Sequence, residues 1–153
     1  MTEYDPAAPN ARRYPRVITR DQIDTMPRLQ FNTGIDTTIF LSREADDARY
    51  FRQGICCAEP DHAPYTWEQF DFDETHYVLK GKIHLRVRDA SGREVVLEAV
   101  EGEHIFCAGG YTYTLEPSGV YTEFFWSSGP SPRNGLVELP EFSEALKTMR
   151  KKD

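Results

Sequence analysis

The residue types able to do chemistry gather in one short stretch, Trp67-Glu68-Gln69-Phe70-Asp71-Phe72-Asp73-Glu74-Thr75-His76-Tyr77-Val78-Leu79-Lys80-Gly81. Side chains on a strand alternate faces, so Glu68, Phe70 and Phe72 share one face of the first run. Glu74, His76 and Val78 share one face of the second. If the two runs form a hairpin through the acidic turn at Asp71 to Glu74 and its buried face continues, Glu74 and His76 point inward beside Val78. A carboxylate and an imidazole facing an apolar interior are costly unless they pair or bind something. Together they could ligate a cation or pass a proton to a bound molecule.

The elements that must position this stretch read as short strands. Leu29-Gln30-Phe31 and Thr37-Thr38-Ile39-Phe40-Leu41 are rich in β-branched and aromatic residues and flank a turn at Asn32-Thr33-Gly34. Tyr50 to Ala58 is a further strand, and the Pro-bracketed run Glu59 to Pro64 is a loop. After Gly81, Ile83, Leu85 and Val87 alternate with His84, Arg86 and Arg88, the pattern of a half-buried strand. Turns at Asp89-Ala90-Ser91-Gly92, Glu101-Gly102-Glu103, Gly109-Gly110 and Pro117-Ser118-Gly119 punctuate the runs up to Trp126. Many short strands at this spacing predict a sandwich or barrel. The tail changes period: Phe142, Ala145, Leu146 and Met149 fall on one helical face, with acids first and bases last, as the helix dipole favours. The chain therefore divides into an N-terminal arm (1–16), a β-barrel domain (17–139) and a short C-terminal α-helix (140–153).

Charge and composition exclude several classes of partner. Eighteen basic against 25 acidic residues leave a formal charge of −7, which argues against a nucleic-acid face and against an anionic membrane surface. No apolar run is long enough to span a bilayer, and the start is polar and Pro/Ala-rich, unlike a signal peptide. Three cysteines, two of them adjacent (Cys56, Cys57) and one alone (Cys107), do not make a disulfide framework, so a reducing cytoplasm is expected. Cys107 has no basic neighbour and reads as a small core residue. His84 reads as solvated and His62 as a loop histidine; the face of His104 is open.

Two motifs carry a family resemblance. Asp73-Glu74-Thr75-His76-Tyr77-Val78-Leu79-Lys80-Gly81, with Glu74-x6-Gly81, resembles the second half of the first cupin motif. Gly102-Glu103-x4-Ala108-x-Gly110 resembles the start of the second. The order Trp, aromatic-Asp-Glu, Tyr-Val-Leu-x-Gly is most similar to the ethanolamine-utilisation-type cupins. The resemblance spans roughly residues 50 to 127 and implies a double-stranded β-helix (cupin or jelly-roll barrel) of two antiparallel sheets. It also implies a homodimer pairing through the early strands. The family's metal motifs are degenerate here. The His-x-His positions hold Glu68 and Phe70, the closing histidine of the second motif is Tyr113, and its usual proline is Ala108, so only Glu74 matches a metal position.

The resemblance leaves two readings of a pocket. In one, Glu68, Glu74, His76 and Tyr113 form a substitute site for a divalent manganese, iron or zinc ion. In the other no metal is needed: Glu74 or His76 serves as acid or base and Tyr113 as a phenolic donor. A degenerate barrel whose polar residues only bond one another is the bland alternative. Trp67, Phe70, Phe72 and Tyr111 are candidates to line the pocket of a small organic ligand. For function, a lyase, isomerase or hydrolase acting on a small polar metabolite stands beside a non-catalytic binding module.

Overall fold

A computed structural model describes residues 15–26, 28–42, 46, 48 and 50–130. The elements bounded within these residues are α1 (Arg20–Thr25), β1 (Arg28–Asn32), β2 (Ile35–Leu41), β3 (Arg52–Ala58), β4 (Tyr65–Gln69), β5 (Asp73–Lys80), β6 (Lys82–Arg88), β7 (Glu94–Val100), β8 (His104–Cys107), β9 (Tyr111–Glu116) and β10 (Thr122–Gly129). The strands form two antiparallel sheets, one in the order β1-β2-β3-β10-β5-β8, the other β4-β9-β6-β7. This is the two-sheet antiparallel barrel that the sequence predicts. The expected arm lies almost wholly, and the C-terminal helix entirely, outside the described residues. No described helix is long and apolar enough to cross a membrane.

The core sits between the sheets. Val78 and Phe124 from the larger sheet meet Ile83, Leu85, Tyr113 and Leu115 from the smaller one, with Ile105 and Cys107 closing the side. Ile83, Leu85 and Val87 are buried in alternation along β6, as their period requires.

Two features differ from the sequence reading. Helix α1 was not anticipated ahead of the first expected strand. Its start is fixed by a capping box, in which Gln22 N–H donates to Thr19 Oγ1 (3.3 Å) and Thr19 N–H to Gln22 Oε1 (2.8 Å). More consequentially, β4 and β5 are not a hairpin. β4 pairs with β9, whereas β5 pairs with β10 and β8, so the acidic turn carries the chain from one sheet to the other. A single residue, Gly81 at φ +79°, makes the return crossing from β5 to β6. That backbone conformation favours glycine, and the one-residue step moves the inward parity from even positions (His76, Val78) to odd ones (Ile83, Leu85).

Candidate functional site

The inward face of the larger sheet carries the polar residues in two cross-strand rows. Strand register aligns Arg52 with Ser128, Ser128 with Glu74, and Glu74 with Cys107. The next row inward aligns Gly54, Trp126, His76 and Ile105. A Cβ at Gly54 would come within 2.6 Å of the Trp126 ring, so glycine there makes room for the indole. Trp126 Nε1–H donates to Thr37 Oγ1 at 2.9 Å, fixing the ring.

Glu74 and His76 do turn inward and meet. Glu74 Oε1 lies 2.5 Å from His76 Nε2, a short carboxylate–imidazole hydrogen bond. The imidazole is buried (2% exposed), and the carboxylate keeps 16% exposure. Phe124 and Trp67 flank the ring, with centroids 4.8 and 6.1 Å away. The second ring nitrogen, Nδ1, is buried and has no hydrogen-bond partner among the described residues. A buried polar atom left unmet costs free energy that a bound group can recover. In the tautomer that donates Nε2–H to Glu74, Nδ1 is left as a buried acceptor.

The other candidates separate. Trp67 faces inward, stacked between Tyr65 (5.8 Å) and Tyr113 (5.5 Å), and its Nε1–H donates to Gln69 Oε1 at 3.2 Å. Tyr113 is buried, but its hydroxyl donates to Ala108 O at 2.6 Å, and burial foremost pushes the phenol well above its ordinary pKa. It stays protonated and bonded to backbone, contrary to the expectation of a phenolate ligand. Glu68 is exposed and aligns with Thr112 of β9, on the outside of the smaller sheet. Phe70 is 67% exposed and does not line the interior, whereas Tyr111, 39% exposed, pairs with Gln69 and lies 6.3 Å from Tyr113 on the inward parity of β9. Phe72 is half-buried beyond the end of β4 and contributes its carbonyl to Gln69. The reason for the misplacement of Glu68 and Phe70 is parity. Odd residues of β4 face in, so the inward set is Tyr65, Trp67 and Gln69, of which the sequence reading named Trp67 alone. The alternation Tyr65-x-Trp67 was the available signal.

Of the remaining histidines, His84 pairs with Glu98 at 2.5 Å on the surface, as its alternation with Ile83 and Leu85 predicts. His104 packs on Tyr77 (4.6 Å) on an exposed face. His62 is buried, not a plain loop residue: its Nδ1 contacts Ala63 O at 2.8 Å, and it packs under Gly34. Cys107 is fully buried, and burial foremost, then Glu74, pushes its thiol far up; burial does the same to Cys56.

No protein-family model matches this sequence, and no curated protein is similar to it in sequence. Solved structures are similar in fold. The chain has the cupin fold, the class that the two sheets and their inward polar rows define. Among cupins it is similar to the Clostridium difficile EutQ protein, with 20% identity, 71% of this chain and 69% of that one covered, and a TM-score of 0.50. It is also similar to Bacillus subtilis oxalate decarboxylase, a protein described with Mn(II) centres, at 14% identity over 73% of this chain but only 29% of the longer relative (TM-score 0.60). A third is Drosophila melanogaster CENP-C, solved bound to CAL1, at 14% identity over 71% of this chain and 82% of that one (TM-score 0.57).

The residues present do not fit a metal centre of the kind the fold accommodates. Glu68 points out, Tyr113 spends its hydroxyl on backbone, and Phe70 offers no donor, which leaves Glu74 and His76 bonded to each other. Among the described residues no three His, Cys, Asp or Glu side chains converge as a ligand set.

Proposed function

We propose that this chain binds a small polar metabolite inside its barrel, with His76 Nδ1 as the contacting atom and Glu74 as the group that orients and polarises the ring. The observation behind this reading is the buried, unpartnered Nδ1 of an imidazole whose other nitrogen is held by a carboxylate. Such a dyad can accept a proton from a ligand hydroxyl or acid and return it, the elementary step of lyase, isomerase or hydrolase chemistry. Trp67 and Phe124 give the ligand an apolar wall.

The test is a thermal-shift screen of small carboxylic acids, hydroxy acids and amino alcohols against the wild type, Glu74→Gln and His76→Gln. Metal analysis of protein purified without chelator accompanies it. A metabolite that raises Tm of the wild type should fail to do so in His76→Gln, with affinity reduced at least about tenfold. Equal stabilisation of both proteins would reject His76 as the contact. Stoichiometric metal lost in Glu74→Ala would replace the metal-free reading. Turnover of the bound metabolite would identify an enzyme, and tight binding without turnover a binding module.

A further inference from the structure

Four strands form sheet edges among the described residues, and they are not alike. β1 has five residues interrupted by a register shift between Gln30 and Asn32; β4 has five residues and β8 four. β7 has seven, Glu94–Val100, contains no Pro, Gly or Lys, and pairs with β6 in unbroken register. Short length and bulges blunt an edge against further pairing, and β7 has neither protection. It also exposes apolar surface: Val95 is 51%, Val96 67% and Val100 45% exposed.

The direction of its free backbone groups follows from the hairpin. Asp89 N–H donates to Arg93 O at 3.0 Å, so these two form a hydrogen-bonded pair. Alternation along an antiparallel ladder then turns the N–H and C=O groups of Val95, Leu97 and Ala99 toward β6, and those of Glu94, Val96, Glu98 and Val100 toward the open edge. Val100 conforms: its N–H donates to Glu103 Oε2 (3.0 Å) and its carbonyl accepts from Glu103 N–H (2.9 Å). The turn closes that end and leaves Glu94, Val96 and Glu98 facing outward.

We propose that this edge pairs with β7 of a second copy of the chain, antiparallel, about a two-fold axis at Leu97. The occupant is a second copy because the strand is complementary to itself in this register. Leu97 meets its own image, Val95 faces Ala99, Val96 and Glu98 exchange backbone hydrogen bonds, and the flanking Arg93 faces Glu101 at both ends. A shift that centres the axis on Val96 would set Glu94 against Glu98 twice, a like-charge opposition that disfavours it. The product is a continuous eight-stranded sheet whose inward apolar face runs through the axis and covers Val95. The bulged β1 edge is the weaker candidate, contrary to the sequence expectation of pairing through the early strands. The proposal is independent of the ligand reading.

Sedimentation equilibrium of the full chain across the micromolar range tests it, since an interface of one strand pair is small. Wild type should approach a mass of about 35 kDa, twice the 17.6 kDa chain. Val96→Glu, on a side chain that is 67% exposed and outside the core, sets like charges against Glu98 at both ends and should weaken association at least about tenfold, whereas Val96→Thr should not. Arg93→Glu should weaken it too, and Arg93→Glu combined with Glu101→Arg should restore it, which reads the register even if a Val96 variant folds poorly. A wild-type chain that stays monomeric overturns the proposal, as does a dimer that Val96→Glu and Arg93→Glu leave unchanged.

Discussion

At the residue scale, the site turns on which polar atoms are already satisfied. Tyr113 and His76 are both buried aromatic groups with a polar handle, yet one hydroxyl is bonded to the Ala108 carbonyl and one ring nitrogen is left open. Tyr113→Phe should therefore behave as the loss of one buried hydrogen bond. We expect urea denaturation to show a destabilisation of about 1 kcal/mol, with ligand binding unchanged. Loss of binding at unchanged stability would make the phenol part of the site. Glu74 and His76 were legible in the sequence because their parity matches Val78, a residue whose inward position any strand reading would give. Glu68 and Phe70 were misread because the spacing of the family motif was laid onto even positions and their parity carried across the acidic turn, where a one-residue slip inverts every side chain. Whether a turn joins two strands of one sheet or crosses to another is set by tertiary packing, which local pattern does not encode.

At the scale of elements, the β6–β7 hairpin is the one most plainly written in the chain. Asp89-Ala90-Ser91-Gly92 signals a turn, and Asp89 Oδ1 accepts from Ser91 N–H (2.9 Å), Ser91 Oγ–H (2.6 Å) and Arg93 N–H (3.0 Å). These bonds, the Ser91 hydroxyl foremost, hold the Asp89 carboxyl below its ordinary pKa. A depressed carboxylate pKa adds stability that is present above the unfolded value and is lost as pH falls through the folded one. Asp89→Asn should therefore lower Tm at neutral pH, and the gap to wild type should close as pH drops below the ordinary aspartate range. A gap that stays constant into acid would show that the charge contributes nothing. Helix α1 was just as readable, since Thr19-Arg20-Asp21-Gln22 is a capping-box pattern, but its six residues lack the long apolar period that identifies a helix.

At the scale of the molecule, the sheets cohere through apolar packing and a few polar ties, of which Gln69 is the most concentrated. It sits on β4 in the smaller sheet, fully buried, and reaches across to the larger one. Its Nε2 donates to Cys107 O at 2.6 Å and to Phe72 O at 3.1 Å, and its Oε1 accepts from Trp67 Nε1–H. One side chain thus fixes the acidic crossing, the end of β8 beside Glu74, and the indole that walls the site. The barrel itself was legible from the spacing of turns and the two motifs, whereas this tie was not, because a glutamine among aromatic residues gives no periodic signal. Gln69→Leu keeps nearly the same volume but leaves two carbonyls and an indole N–H without their partner. Each buried group left unmet costs about 1–3 kcal/mol, so a total loss of at least about 2 kcal/mol is expected even if the loop relaxes. Urea unfolding should show a lower midpoint at unchanged slope, and any ligand found for the wild type should bind more weakly, because Trp67 and the Glu74 row lose their common anchor. A variant within about 0.5 kcal/mol of wild type would mean that water satisfies these groups and that the sheets are joined by apolar contact alone.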